Sequence, residues 1–402
     1  MHVALSKILD RAKRLTKRQR YIAGFVGLFA IIGVLLINLS SAATFTVMME
    51  AESGTISGNA TSQAQSGASG GSGVRFGTGG GTTPPPPTGG TTPVGINGLL
   101  KTCGMQLCNQ FGKPIQLRGM STHGIQWYNQ CINDASLDAL ANDWKADVMR
   151  VSLYVQEEGY ETDPAGFTAM AQGIIDKLIA RGLYVLIDWH QLTPGDPNAN
   201  TEMAKTYFTA MATKYKDTPN VFYEIANEPN GVDWATIKRY ADVMVPHIRA
   251  IDADNPIIIG THGWDTFGVS GDGPASDVYN NQVSGTNLLY AFHFYAASHG
   301  QEYRDTLSEA SGKLPVFVTE WGTQEASGDG GNDFASSQQY IDLMAQKKIS
   351  WTSWNYSDDP RTGAAWNGGT CPNGPWTNAN LKEAGSWVRD KIANPADNFP
   401  TQ

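Results

Sequence analysis

The stretch YEIANEP, residues 223–229, places a carboxylate and a proline at the end of an apolar run. Val221, Phe222, Tyr223 and Ile225 are β-branched or aromatic, the residue types that fill a mostly buried strand. Pro229 cannot extend a ladder, and it biases Glu228 toward an extended backbone. The expected unit is a strand with Glu228 held at its C-terminal lip. A strand that merely ends in a charged residue gives the same pattern, so the fold turns on whether such units recur along the chain.

They do recur. Apolar, strand-like runs occur at PIQLRGM (114–120), DVMRVSLY (147–154), LYVLIDW (183–189), VFYEIAN (221–227), PIIIGTH (256–262), NLLYAFHFY (287–295), PVFVTE (315–320) and ISWTSWN (349–355). Helical patterns lie between most of them. PAGFTAMAQGIIDKLIARG, for instance, has Pro164 near its start and Gly182 at its end. Eight strands alternating with helices over about 300 residues predict an α/β fold of the closed parallel (β/α)8 TIM-barrel type. A doubly wound open sheet is the alternative, but its Gly-rich phosphate fingerprint is missing.

The barrel is one part of a 402-residue chain. Residues 1–20 carry seven Lys/Arg against one acid, so a net charge of −9 for the chain leaves −15 for the remainder. A body that acidic repels phosphate backbones, which argues against nucleic acid as a partner. The basic RAKRLTKRQR is followed by the apolar YIAGFVGLFAIIGVLLINL and by small residues at Ser41 and Ala43. Residues 1–43 thus read as an export signal, or as a membrane anchor if uncleaved, with the catalytic part outside. Residues 44–79 are a Gly/Ser-rich segment whose EAESG opening resembles the start of β-sandwich carbohydrate-binding modules, too short to bury a core alone. Residues 80–95 form a Pro/Thr/Gly linker, and the catalytic domain is expected over 96–395.

Cys103, Cys108, Cys131 and Cys371 suit an oxidising exterior and permit three pairings. Cys103 and Cys108 enclose only GMQL, which favours a local bridge and leaves Cys131 to pair with Cys371. A zinc site would need close ligand pairs such as C-x-x-C, and the sequence has none.

In such barrels the chemistry gathers where the strands emerge at their C-terminal ends. That rule selects His123 after the first strand, Arg150 and Tyr154 on the second, His190 after the third, and Asn227 and Glu228 after the fourth. It also selects Trp264 after the fifth, His293 and Tyr295 on the sixth, Glu320 on the seventh and Trp354 on the eighth. Singly, Arg150 reads equally well as a buried ion-pair partner and His190 as a satisfied core histidine. Glu228 and Glu320 would face each other across the barrel mouth, and two carboxylates across a cleft are what glycoside hydrolysis requires. Arg150 and the Tyr295 hydroxyl are placed to keep Glu320 ionised, Asn227 to reach a sugar 2-hydroxyl, and Trp354 to floor the reacting sugar.

Together, YEIANEPNG, RGMSTHGIQWY, MRVSLY, DWH, AFHFYAASH and VFVTEWGTQEASGDGG resemble the bacterial endoglucanases of glycoside hydrolase family 5. The likeness is to the cellulase subfamily carrying STHGxQW, over about residues 98–392. The resemblance implies a retaining endo-β-1,4-glucanase with Glu228 as acid/base and Glu320 as nucleophile. It places Arg150, His190, Asn227, His293, Tyr295 and Trp354 at the active centre, and His123, Trp127, Tyr154 and Trp264 in contact with glucan. It also implies a cis peptide after Trp354. One departure stands out: relatives place a lysine near the Trp354 position, whereas TSWNYSDDPRTGAAW (352–366) has none, with Asp359 nearby and Arg361 as the candidate replacement.

The expected protein is a secreted monomer acting on a polysaccharide, without cofactor or metal. An endohydrolase of mannan, xyloglucan or mixed-linkage glucan is the alternative within one fold. A non-catalytic glycan-binding surface protein would predict loss of one carboxylate, and both are present.

Overall fold

The computed structural model describes residues 60–64, 72–76 and 90–395. The export or anchor segment over 1–43, most of the Gly/Ser-rich segment and residues 80–89 of the linker lie outside the described residues. Among the described residues no helix is long and apolar enough to cross a membrane. The chain divides into two compact units, Met1–Thr82 and Thr83–Gln402. In the first, Ala60–Ala64 pairs antiparallel with Ser72–Phe76.

The second unit is a closed barrel of eight parallel strands. These are β1 (Arg118–Ser121), β2 (Val148–Tyr154), β3 (Tyr184–His190), β4 (Val221–Glu224), β5 (Ile257–Ile259), β6 (Leu288–Tyr295), β7 (Val316–Gly322) and β8 (Ser350–Trp354). Each coincides with one of the eight apolar runs, β1 and β3 reaching one residue and β7 two residues past its end. All are buried along their length, as strands covered on both faces must be. Helices α1 (Pro164–Ala180), α2 (Thr201–Tyr215), α3 (Trp234–Arg249), α4 (Gln301–Ala310), α5 (Phe334–Lys347) and α6 (Glu383–Ala393) supply the outer layer. Asp163 caps α1 by accepting the Gly166 N–H, Pro164 opens it, and Gly182 takes the left-handed turn that ends it.

The barrel interior is filled at its lower end by Val148, Tyr184, Leu186, Phe222, Ile258, Leu289, Ala291 and Phe317. The same cluster includes Leu107 from the hairpin of Lys101–Cys103 and Gln106–Cys108 and Leu100 just before it, so this hairpin closes the floor. The short helix Pro93–Asn97 straddles the expected domain boundary at residue 96, and Val94 donates its N–H to the Gly182 carbonyl. Disulfides join Cys103 to Cys108 and Cys131 to Cys371, as the sequence led us to expect. The second spans 240 positions, a loop length at which chain-entropy arguments give on the order of 4–5 kcal/mol at most.

Candidate active site

The residues above that apolar floor are polar. Side chains two apart on a strand share a face. Above Val148 on β2 stands Arg150; above Leu186 on β3 stand Asp188 and His190; above Phe222 on β4 stands Glu224. Above Ala291 on β6 come His293 and Tyr295. On β7 the alternation breaks. A step of two residues on β6, from Ala291 to His293, is matched by a step of three on β7, from Phe317 to Glu320. Against β8 the same extra residue recurs, with Val318 to Trp321 matched to Trp351 to Ser353. This bulge lets Thr319 and Glu320 both face inward while Val318 and Trp321 pack in the outer layer.

Arg150, fully buried, is the hub. Its Nε and Nη2 donate to the Glu224 carboxylate at 2.7 and 3.1 Å, and Nη1 donates to Glu320 Oε2 at 2.8 Å. Nη2 also donates to Asn227 Oδ1 at 2.7 Å and lies 3.0 Å from Asp188 Oδ2. Burial works against the guanidinium charge, but Asp188, Glu224 and Glu320 outweigh it and hold Arg150 above its ordinary value. Glu224 and Asp188 were not singled out in the sequence, although a charged residue in the middle of an apolar strand was a usable signal.

The two glutamates differ in surroundings. Glu320 receives Arg150 on one oxygen and the Tyr295 hydroxyl on the other, at 2.5 Å. Burial, and then the Glu320 charge, push the Tyr295 phenol up, so it remains a donor. Glu228 has no such pair of donors; its Oε1 meets His293 Nδ1 at 2.9 Å. Its carboxyl is pushed up to about 7, first by burial, with Asp188 and Glu224 adding to the effect against the pull of Arg150. Burial lowers His293 to about 4 and His123 to about 3, and holds His190 well below its usual range, so all three rings are neutral near pH 7.

The Glu228 backbone departs from the extended form expected before a proline. β4 ends at Glu224, and Glu228 has φ +46°, in the left-handed region. Its N–H is taken by the buried Asp265 carboxylate at 2.9 Å, a tertiary contact that overrides the local preference.

Aromatic rings wall the remainder. Tyr154 stacks on His190 at 4.1 Å between centroids, and Trp354 stacks on the same ring at 5.4 Å. His123 packs against Trp354 and Trp127, which in turn meets Tyr154 at 5.0 Å. Trp127 and Trp264 are 36% and 43% exposed, so neither is a core residue. The Trp354–Asn355 peptide is cis. Where the family lysine is missing, Arg361 binds Asp359 through Nε and Nη2 at 2.9 and 3.1 Å and donates to His123 Nε2 at 2.9 Å. Lys382, from the start of α6, lies beneath this loop and donates to the Asp359 and Arg361 carbonyls.

One oxygen each of Glu228 and Glu320 and a His293 ring nitrogen lie within 4.8 Å of one another, near enough to share a cation. The donor set fits a metal poorly. Glu320 already accepts from a guanidinium and a hydroxyl, and a cation there would face Arg150.

Residues 108–360 match the model of the family described as Cellulase (glycosyl hydrolase family 5). The chain belongs to glycoside hydrolase family 5. Endoglucanase MaCel5A of a Microbulbifer strain is 58% identical over 306 residues, 75% of this chain and 60% of that protein. Endoglucanase E-5 of Thermobifida fusca is 57% identical over 303 residues, 75% of this chain and 65% of that protein. The chain therefore spans somewhat under two thirds of these relatives. A point variant of the T. fusca endoglucanase Cel5A catalytic domain, solved in complex with cellotetraose, superposes with a TM-score of 0.74 at 55% identity, covering 75% of this chain and 99% of that domain. In this family 5 chain, every site residue selected from the sequence lies in or beside one connected network. Asp188, Glu224, Asp265, Thr319 and Asp359 complete it.

Proposed function

We propose that the chain is a secreted, monomeric, retaining endo-β-1,4-glucanase that cuts internal bonds of cellulose or related β-glucans. The reading is carried by the unequal carboxyl pair: Glu320 accepts from Arg150 and Tyr295, while Glu228 sits in surroundings that favour its proton. Glu320 attacks the anomeric carbon as Glu228 gives its proton to the departing glycosidic oxygen. The resulting glycosyl ester is opened by water, whose proton returns to Glu228 as Glu320 leaves. Two inversions give net retention. Retaining enzymes hold these carboxyls about 5–5.5 Å apart, inverting ones about 6.5–9.5 Å. Oxygens of the two within 4.8 Å support the narrower spacing. The Arg150 contact fixes the Asn227 carbonyl; its Nδ2 gives one hydrogen to the Gln191 carbonyl at 3.4 Å and has the other left to donate to a sugar 2-hydroxyl.

Reducing-end release measured side by side on carboxymethylcellulose, galactomannan, xylan and mixed-linkage β-glucan tests the substrate. Preference for galactomannan or xylan would overturn the glucanase reading. Export and cleavage near Ala43 are read from the N-terminus of the protein recovered outside the cell.

The acid step sets a pH limit. Glu228 must carry its proton in the free enzyme, so kcat/KM holds below pH about 7 and falls roughly tenfold per unit as pH rises above it. A profile flat to pH 9 would remove Glu228 from the acid role.

Trp127 and Trp264 are proposed as sugar platforms on opposite sides of the cleavage point. Changing either to Ala lowers kcat/KM on long glucans about tenfold, the equivalent of ~1.4 kcal/mol. The melting temperature stays nearly constant, because half-exposed rings contribute little to the core. A parallel loss of melting temperature and activity would mean packing instead.

A further inference from the structure

Asp265 is a fully buried acid in the loop after β5. One of its oxygens accepts the Glu228 N–H at 2.9 Å, and the other accepts the Thr261 N–H at 2.5 Å. The first also stands 3.5 Å from His293 Nε2. Among the described residues no lysine or arginine forms an ion pair with it. An acid buried without a cation is costly to keep, and its oxygens are spent on backbone amides of two catalytic-face loops. The loops are tied a second time, because Trp264 donates its N–H to the Pro229 carbonyl at 3.0 Å. Four residues at this junction have left-handed backbones: Glu228 (φ +46°), Gly263 (φ +67°), Trp264 (φ +58°) and Asp265 (φ +57°). Left-handed non-glycine residues persist only where their surroundings over-determine them. The Asp265 carboxyl holds the Glu228 N–H, and Asn230 Nδ2 donates to the Glu228 carbonyl at 2.9 Å, so the Glu228 backbone is held from both sides.

We propose that Asp265 is a positioning residue for Glu228: by holding the Glu228 N–H it fixes the backbone from which the acid/base carboxyl reaches the glycosidic oxygen. Through the adjoining Trp264–Pro229 bond the same clamp sets the exposed Trp264 ring relative to that carboxyl. Asp265 does not touch substrate; it acts through Glu228. The inference rests on the acid/base reading of Glu228 proposed above.

The experiment is a leaving-group series on the full chain, using aryl cellobiosides of graded phenol acidity together with cellotetraose. Asp265→Ala lowers kcat/KM on cellotetraose about a hundredfold, the low end of what a general acid contributes. It changes kcat/KM on dinitrophenyl cellobioside less than about threefold, since glycosylation with that leaving group needs no proton. Asp265→Asn keeps one acceptor oxygen and recovers part of the loss; it carries the test alone if the alanine variant does not fold. On the dinitrophenyl substrate kcat and KM fall together in both variants, because Glu228 is also the base of the second step, so the series is compared in kcat/KM. A loss uniform across the series, or no loss on cellotetraose, overturns the proposal. Glu228→Ala on the same series separates the two ideas. If it shows no leaving-group dependence, the acid/base assignment itself falls. Dependence in Glu228→Ala with a uniform loss in Asp265→Asn overturns only the positioning role.

Discussion

Glu320→Ala abolishes hydrolysis of every substrate, glucan or activated aryl glycoside alike, by on the order of 10⁵–10⁶-fold. Without a carboxylate at that place no glycosyl ester forms, so leaving-group quality makes no difference. Small anions distinguish this loss from unfolding. Azide occupying the vacated space attacks the anomeric carbon of an activated aryl cellobioside directly and gives a glycosyl azide of inverted configuration. Glu228→Ala behaves differently. It is nearly inactive on cellulose, whose alcohol leaves only with a proton, yet it forms the glycosyl-enzyme rapidly from a dinitrophenyl substrate. Azide then accelerates the second step and gives a product of retained configuration. Product configuration by NMR decides the matter. If the signatures are exchanged between the two residues the roles are reversed, and inverted product from the unaltered enzyme rules out the ester altogether.

The barrel was legible because each strand is buried on both faces and reads as an apolar run bounded by turns; β5, only three residues long, was still marked by Ile257–Ile259. The rim was legible because strand ends are named by where those runs stop. What the runs do not encode is register against a neighbour. Strict alternation puts Thr319 and Glu320 on opposite faces of β7, and only the pairing with β6 and β8 shows the extra residue that turns both inward. The Glu228 backbone departs from its local preference for a related reason. A proline restricts its predecessor locally, but the Asp265 carboxylate, 37 positions away, fixes that backbone in the left-handed region. Asp188 and Glu224 were hidden differently. Each sits among apolar residues that carried the strand reading, and their function as partners of Arg150 emerges only when three strands are aligned in register. Arg361 was named as a stand-in for the missing lysine, but its tie to Asp359 and His123 leaves it less free than an unpaired cation.

Arg150→Met destabilises the fold by about 3–5 kcal/mol near neutral pH, the cost of stripping a buried ion network of one partner. Met roughly fills the volume of the lost side chain, so the penalty is electrostatic rather than a cavity. Asp188, Glu224 and Glu320 lie at 3.0, 2.7 and 2.8 Å from the guanidinium and would face one another without it. Their remaining way to shed charge is to bind protons. Burial already raises Asp188, to about 7, and Glu224 in the unaltered protein against the pull of Arg150, so removing the guanidinium lifts both further above their unfolded values. A carboxyl with a raised folded pKa makes the folded state bind more protons than the unfolded one, so stability rises as pH falls between the two values. The penalty relative to the unaltered protein should thus shrink by about 1–3 kcal/mol between pH 7.5 and pH 5, since each pKa unit is worth about 1.4 kcal/mol. Urea denaturation of both proteins at the two pH values measures it. A penalty independent of pH, or one that grows toward pH 5, would mean that Arg150 contributes packing and hydrogen bonds rather than the charge that holds three buried acids together.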